Sequence, residues 1–315
     1  MADRISMTSE AQERARRLAE LPWERTGRTG ATGVGGFFSA VKEAWQHRQL
    51  LDLLIRRELK ARYKDSTLGF AWSLVRPIVM LLIYYFAIGK VLGAERSIPE
   101  YAVFVFSGLT IWGLFNEIVS SGTSAIISNA GLIKKVYLPR EIFPLAATGS
   151  ALFNFAMQLI VLTAATILLG QFPWHAEILY AGLAVLVIVT VGTALGILLS
   201  AVNVYLRDVQ YLVEVAMLIL FWVSPIVYSY KFVVQAFARA GLGAWATEVY
   251  LANPVTVAVL AFQKAFWIAG SDPGVAAYPD NLLVRLLVMI GIGVVLMIGA
   301  QRIFTRLQGN FAQEI

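Results

Sequence analysis

The sequence predicts an all-α membrane protein with six transmembrane helices, and three observations carry that prediction. The 315 residues are 58% hydrophobic and only 15% charged, with a mean hydropathy of +0.68, whereas a soluble domain carries about 25% charged residues. Six apolar stretches are each long enough for a bilayer core, which takes about 20 helical residues. Lys and Arg are spread unevenly over the connecting segments, as the positive-inside rule requires.

Residues 1–45 read as a polar N-terminal extension ahead of a membrane domain over 46–315. Residues 1–30 hold no apolar core before a cleavage site, so the first span is expected to act as its own insertion signal. Ser9 and Gln12 offer a capping box to a short polar helix over 9–21, which Pro22 stops. The Gly/Thr run over 26–36 reads as a flexible linker. No strand precedes its glycines and no Gly-Lys-Ser/Thr follows them, which argues against a nucleotide loop. Of the 26 Lys and Arg, 14 lie in residues 1–76. Their juxtamembrane position favours anionic lipid headgroups over nucleic acid as the partner.

The segment over 50–65 is the first informative element. Leu51, Ile55, Leu59 and Tyr63 fall on one helical face, with Arg56, Arg57, Lys60 and Lys64 on the other. This is the pattern of a basic amphipathic helix lying in a membrane interface.

The spans are expected at about 71–92, 101–121, 142–169, 177–202, 210–228 and 281–303. The chain between the last two is not a plain loop. Residues 254–269 are apolar but only 16 long, about 24 Å as a helix, and residues 232–246 are similarly short. Two such pieces around Asn253-Pro254 suggest re-entrant helices that dip in and return on the outer side; full crossing of both, giving eight spans, is the other reading. With the N-terminus inside, the inner segments hold 20 Lys and Arg, including Lys134, Lys135, Arg140, Arg207, Arg302 and Arg306. The outer side keeps 6: Lys90, Arg96, Lys231, Arg239, Lys264 and Arg285. Both termini are therefore expected in the cytoplasm.

There are no cysteines, so a disulfide framework, a Cys-based zinc site and a catalytic thiol are excluded. His47 and His175 are far apart in sequence and suggest no metal site. In the loop between the second and third spans, Ile126, Ala130, Ile133 and Tyr137 share one helical face while Lys134 and Lys135 stand off it. Pro139 is expected to end that helix. Such a helix can dock into a groove on a soluble partner; anchoring the loop at the interface is the alternative.

At these residues the sequence resembles a known family. The run from Arg57 to Trp72, Arg-Glu-Leu-Lys-Ala-Arg-Tyr-Lys-Asp-Ser-Thr-Leu-Gly-Phe-Ala-Trp, is similar to the amphipathic helix of ABC-type polysaccharide export permeases. These are the Wzm, KpsM and TagG-like membrane subunits of the ABC-2 class. The stretch Leu132-Ile-Lys-Lys-Val-Tyr-Leu-Pro-Arg140 resembles their coupling helix. Arg207-Asp208, Ser224-Pro225-Ile226-Val227-Tyr228 and Asn253-Pro254 resemble later landmarks in the same order. The similarity covers about residues 45–315 and leaves the N-terminal extension outside it.

The resemblance implies a homodimer with the pore between protomers and one ATPase subunit docked on each. Coupling to that ATPase would run through Ile126, Asn129, Leu132, Ile133, Lys134, Lys135, Tyr137, Pro139 and Arg140. The substrate would be a polysaccharide linked to a polyprenyl diphosphate, of O-antigen, teichoic acid or galactan type, with the Ala/Gly/Arg usage leaning towards a cell-wall galactan. The short helices before the last span would form an outer gate. No Gly-x-x-x-x-Gly-Lys-Ser/Thr motif occurs, so ATP and Mg are expected in a separate subunit and this chain is not expected to be an enzyme. The expected location is the plasma (inner) membrane.

Arg57, Arg62, Tyr63 and Lys64 are candidates for capturing the diphosphate, since guanidinium groups favour phosphate; attraction to anionic lipid explains the same residues. Polar residues within spans are functional candidates because lipid burial is costly. These are Arg76 with Pro77, Glu117 and Glu214, all expected near the inner interface. Arg207 and Asp208 are candidates for a local pair, and Pro225, Asn253 and Pro254 for structural or gating positions. Tyr84, Tyr85, Phe86, Phe221, Trp222 and Tyr228 are candidate channel aromatics, because sugar rings stack their C–H faces on aromatic rings. Lipid-facing belts are the competing reading.

Three other functions fit the sequence less well. A polyprenyl-phosphate glycosyltransferase wants grouped carboxylates, and the acids here are scattered. An ion-coupled secondary transporter commonly shows internal repeats and midplane charges, and neither is evident. An exporter of a small lipid or drug is disfavoured only by the amphipathic-helix and coupling-loop resemblance.

Overall fold

In the computed structural model, the described residues are 42, 46–62, 71–135, 138–170, 175–271 and 274–314. Among them the chain is helical, with no strand. The longer helices are α1 Arg48–Arg62, α2 Trp72–Ile83 (continued as a wider π-helical turn over Tyr84–Val91), α3 Tyr101–Ser128, α5 Ile142–Leu168, α6 Leu179–Tyr205, α7 Val209–Val223, α8 Tyr230–Arg239, α9 Ala244–Leu251, α10 Pro254–Phe266 and α11 Leu282–Leu307. Two one-turn helices, α4 Ala130–Ile133 and α12 Phe311–Glu314, complete them.

Among the described residues, five segments are long and apolar enough to cross a bilayer: Trp72–Val91, Tyr101–Ser128, Ile142–Leu168, Ala176–Tyr205 and Leu282–Asn310. The expected span over 210–228 is helical only as far as Val223, so α7 is 15 residues, about 22 Å. The cause is Pro225, which forces the residue before it out of the helical region; Ser224 is extended at φ −86, ψ 145. The expected short piece over 232–246 is divided between α8 and α9 by a turn at 240–243, the piece over 254–269 is α10, and α9 and α10 are bent by 85° across a short break. The Asn253 side chain accepts a bond from the Val255 amide at 3.0 Å, and Pro254 occupies the first turn of α10. Both are helix-start signals.

α3 is the centre of the bundle. It packs against α5, α6, α7 and α10, and it buries Phe104, Ile111, Leu114, Phe115, Ile118 and Val119. Its crossing with α6 is set by two glycines. A Cβ placed on Gly122 would meet the Gly196 Cα at 2.9 Å, so the backbones touch. In lipid, where burial offers little drive between helices, such small-residue contacts supply the packing. α11 closes on α6 in the same way, with Gly293 against Thr190.

α10 is buried along nearly its whole length, and the extended segment after α7 is threaded between it and α3. Gln263 on α10 donates to the Pro225 carbonyl at 3.0 Å, and Tyr101 at the start of α3 donates to the Val227 carbonyl at 3.1 Å. Trp267, just past α10, donates to the Pro99 carbonyl at 2.7 Å and meets Phe104 edge-on at 4.8 Å.

Gly122→Leu is expected to force α3 and α6 apart and destabilise the protein by about 1–3 kcal/mol or more, as overpacking does. Gly182→Ala on α6, where an added Cβ meets nothing within 4 Å, should be neutral. Thermal unfolding in detergent compares the two; equal midpoints would contradict the close crossing.

Candidate functional site

The site lies at the Asn129 end of α3, the end expected to face the cytoplasm. α1 reaches it by docking on the bundle rather than only on a lipid surface. Leu54 is buried, and Ile55 lies so close to Gly149 of α5 that an added Cβ there would sit 2.4 Å from its Cδ1. The inward face of α1 is therefore Leu51, Leu54, Ile55 and Glu58, while Arg56, Arg57 and Lys60 remain exposed. Leu53 is also exposed, which leaves apolar surface for lipid on the far side.

Two side chains of α1 reach into the bundle. The Arg57 guanidinium donates to the Asn129 side-chain oxygen. The Glu58 carboxylate accepts from the Ser150 hydroxyl of α5 at 2.8 Å. Between them lies a cavity of about 100 Å³ lined by Arg57, Glu58, Ser121, Ser124, Ser128 and Asn129 on its polar side and by Leu54, Phe143, Ala146 and Ala147 on its apolar side. A polar concavity with one cation, one anion and several hydroxyls can bind a hydroxylated or zwitterionic group without a strong net charge.

Asn129 also ends α3. Its side-chain amide donates to the Ala125 carbonyl at 2.8 Å, and its backbone leaves the helical region at φ −109, ψ 15. This corrects the expected helix over 126–140. Ile126 is fully buried within α3, and among the described residues of this loop one helical turn, α4, follows. The cause is local: the Asn129 side chain supplies the carbonyl bond that a continuing helix would have made, and Pro139 lies in the non-helical chain before α5, where its carbonyl accepts from the Ile142 amide at 3.2 Å. Leu132 and Ile133 turn half inward while Gly131, Lys134 and Lys135 are exposed, so the surface a partner would meet is basic. Arg140 donates to the Gln308 carbonyl and lies 5.5 Å from the Phe311 ring centroid, which pins the loop to the chain after α11. Pro139 is half-buried beside it. Tyr63, Lys64 and Tyr137, and the side chain of Arg62, lie outside the described residues.

The other candidates scatter. Arg76 is exposed and Pro77 half-buried within α2. Tyr84 packs against the cluster around Phe104 and Trp267; Tyr85 and Phe86 meet edge-on at 4.9 Å. Phe221 meets Trp112 of α3 edge-on at 5.7 Å. Phe86 and Trp222 are 58% and 61% exposed, so these two rings have open faces. The Tyr228 hydroxyl lies 2.8 and 2.9 Å from the Trp222 and Val223 carbonyls, a bond that finishes α7. No ion pair joins Arg207 to Asp208 among the described residues, and both are exposed, as is Glu214. Glu117 sits in the interior of α3 and accepts from Asn154 of α5 at 2.6 Å.

Sequence reasoning missed Glu58, Ser150 and Asn154. Their signal is present in retrospect, since Ser150, Asn154 and Gln158 recur at four-residue spacing in an apolar span and so share one face.

At the opposite end, three of the six basic residues are paired with carboxylates: Lys90 with Glu95 at 2.6 Å, Lys264 with Glu177 at 3.0 Å, and Arg285 bidentate on Glu248 at 2.7 and 2.9 Å. The two ends therefore differ in available positive charge as well as in the count of basic residues.

Residues 49–267 match the family model described as ABC-2 type transporter. The chain is 30% identical over 279 residues to the O-antigen export system permease protein RfbA of Myxococcus xanthus, covering 87% of this chain and 98% of that protein. It is 27% identical over 282 residues to RfbA of Klebsiella pneumoniae, covering 87% and 99%. A shorter match, 25% over 128 residues, joins 40% of the chain to 46% of the polysialic acid transport protein KpsM of Escherichia coli. Together with five apolar spans, these matches make the chain a multi-pass membrane permease that belongs to the ABC-2 type transporter family and is homologous to O-antigen export permeases.

Proposed function

We propose that the chain is the membrane subunit of an ATP-driven exporter that moves a lipid-linked polysaccharide from the cytoplasmic face of the plasma membrane outward. Two copies form the channel, and each carries one nucleotide-binding subunit that holds ATP and Mg. Both termini face the cytoplasm. The observation that carries this reading is the Arg57–Asn129 bond. It ties a basic helix suited to an anionic lipid headgroup to the loop suited to a soluble partner, so capture of substrate and movement of the partner act on one joint. Similarity along 87% of the chain to O-antigen export permeases supports the substrate class.

In this mechanism Arg57, with Arg62, Tyr63 and Lys64, draws the diphosphate of the carrier lipid to the inner leaflet. The ATPase contacts Gly131, Lys134 and Lys135. Its closure pulls on Asn129, and α1 and the end of α3 shift together as packed bodies. The bent pair α9–α10 with α8 acts as a re-entrant outer gate, hinged at Asn253-Pro254 and braced by Gln263 on Pro225. The open rings of Phe86 and Trp222 offer apolar faces to a sliding glycan, which gives contact without directional bonds that would trap it.

Depletion of the protein is expected to leave a lipid-linked polymer on the cytoplasmic face, identified by extraction and sugar analysis; unchanged polymer distribution would overturn the reading. Joint replacement of Arg57 and Arg62 by Gln should abolish export while leaving the complex with the ATPase intact, and export at the normal rate would exclude their role in capture. Asn129→Ala should separate the two activities: ATP hydrolysis by the purified complex persists while export falls. A parallel loss of both, with the complex still assembled, would argue against the joint.

A further inference from the structure

The surface of α3 that its neighbours leave open has the wrong polarity for lipid. Between Gly113 and Ser124, every position that is not buried is Gly113, Asn116, Glu117, Ser120, Ser121 or Ser124. The buried positions in the same stretch are mostly Leu, Phe, Ile and Val. The spans that do face lipid behave oppositely: the exposed strip of α11 is Leu283, Val284, Leu287, Val288, Ile292 and Val295. Ser120 donates to the Asn116 side-chain oxygen at 3.4 Å and Ser124 to the Ser120 and Ser121 carbonyls at 3.4 and 3.2 Å, yet hydroxyl and amide oxygens keep further acceptor capacity, so a strip of this polarity favours water or polar partners over hydrocarbon.

The strip is continued by α5. Asn154 donates to Glu117 at 2.6 Å, and the Gln158 side-chain oxygen lies 3.4 Å from where a Gly113 Cβ would be. Below them Ser150 donates to Glu58, and the strip runs into the cavity whose polar wall is Ser121, Ser124 and Ser128 with Arg57 and Asn129. From Gly113 to Ser128 this polar track measures about 22 Å along α3, most of the thickness of a bilayer core.

We infer that this face of α3 with its α5 neighbours is a hydrated wall of the export path, where carbohydrate hydroxyls bind transiently as the polymer passes. The inference rests on the functional reading above and adds to it the surface the cargo touches. The chemistry fits that cargo. Serine hydroxyls and Asn and Gln amides both donate and accept, as sugar hydroxyls do. Above the cavity with Arg57 and Glu58, the formal charge between Gly113 and Ser124 is that of Glu117, which accepts from Asn154. Neutral, exchangeable partners arranged along a line favour sliding over tight binding at one point. The apolar aromatic rings and this polar face would then serve the two kinds of surface a sugar presents.

Because the chain has no cysteine, single replacements can be read on this chain, separated from its partner after labelling, without background. Ser120→Cys and Ser124→Cys, with Val288→Cys and Val295→Cys as lipid-facing references, would be made in the full complex in proteoliposomes and treated with a membrane-impermeant maleimide. A thiol in hydrocarbon has a raised pKa and loses about tenfold thiolate per unit, so the strip cysteines should label more than about tenfold faster than the references. The lipid-linked polymer recovered from depleted cells, added to the proteoliposomes, should slow labelling of the strip only. Equal rates at all four positions would overturn the hydrated wall, and fast labelling unaffected by the polymer would overturn the carbohydrate assignment. Ser120→Leu should lower export while the assembled complex remains, and full export would count against the contact. If depletion traps no polymer, the functional reading fails without altering the labelling contrast, so the two failures are distinguishable.

Discussion

The contact of Gly122 with Gly196 sets the spacing on which the rest of the bundle depends. With the α3 and α6 backbones touching, α11 can close on the far side of α6 through Gly293, and α10 can bury almost all its length against both. In lipid this cannot be left to hydrophobic burial, since the tails are as apolar as the side chains. Close backbone approach and internally satisfied polar groups do the work instead. The buried threonines illustrate it: Thr110, Thr123 and Thr190 each bond a carbonyl one turn back, and Asn203 of α6 donates to the Thr123 carbonyl of α3 at 3.1 Å. α3 is thereby held on three sides, and its fourth side carries the polar strip.

That rigid centre gives the two ends of the molecule different roles. At one end Lys90, Lys264 and Arg285 are neutralised by carboxylates, and Trp267, Tyr101 and Gln263 stitch loops to helices. At the other, Arg57, Lys60, Lys134 and Lys135 keep exposed charge, and the polar links between elements include Arg57 on Asn129, Glu58 on Ser150 and Arg140 on Gln308. Joints between well-packed bodies are where hinge and shear motions occur.

Much of the fold was legible in the sequence because its causes are local. Apolar length gave the long spans, Asn253-Pro254 marked the start of α10, and the 3.6-residue pattern of residues 50–65 marked α1. Where the reading went wrong, a single side chain overrode the pattern. Asn129 and Pro225 each cut a periodic helix short, turning an expected coupling helix into one turn and an expected span into the 15 residues of α7. The site was less legible. Arg57 and Asn129 could be singled out by charge and position, but not their meeting 72 residues apart in sequence. Glu58 pointed inward although it neighbours exposed arginines, because Gly149 lets α1 lie flush on α5. The polar strip escaped notice since serines scattered through an apolar span read as helix packing until burial reveals which face they occupy.

Reconstitution tests the central claim most directly. The purified chain, alone or with its ATPase, would be placed in proteoliposomes carrying the lipid-linked polymer on one face, and appearance of polymer on the other face would be followed with an impermeant lectin or glycosidase. Translocation only with the ATPase present and ATP supplied is the predicted result; translocation by the chain alone, or none with the full ATP-hydrolysing complex, would contradict the account.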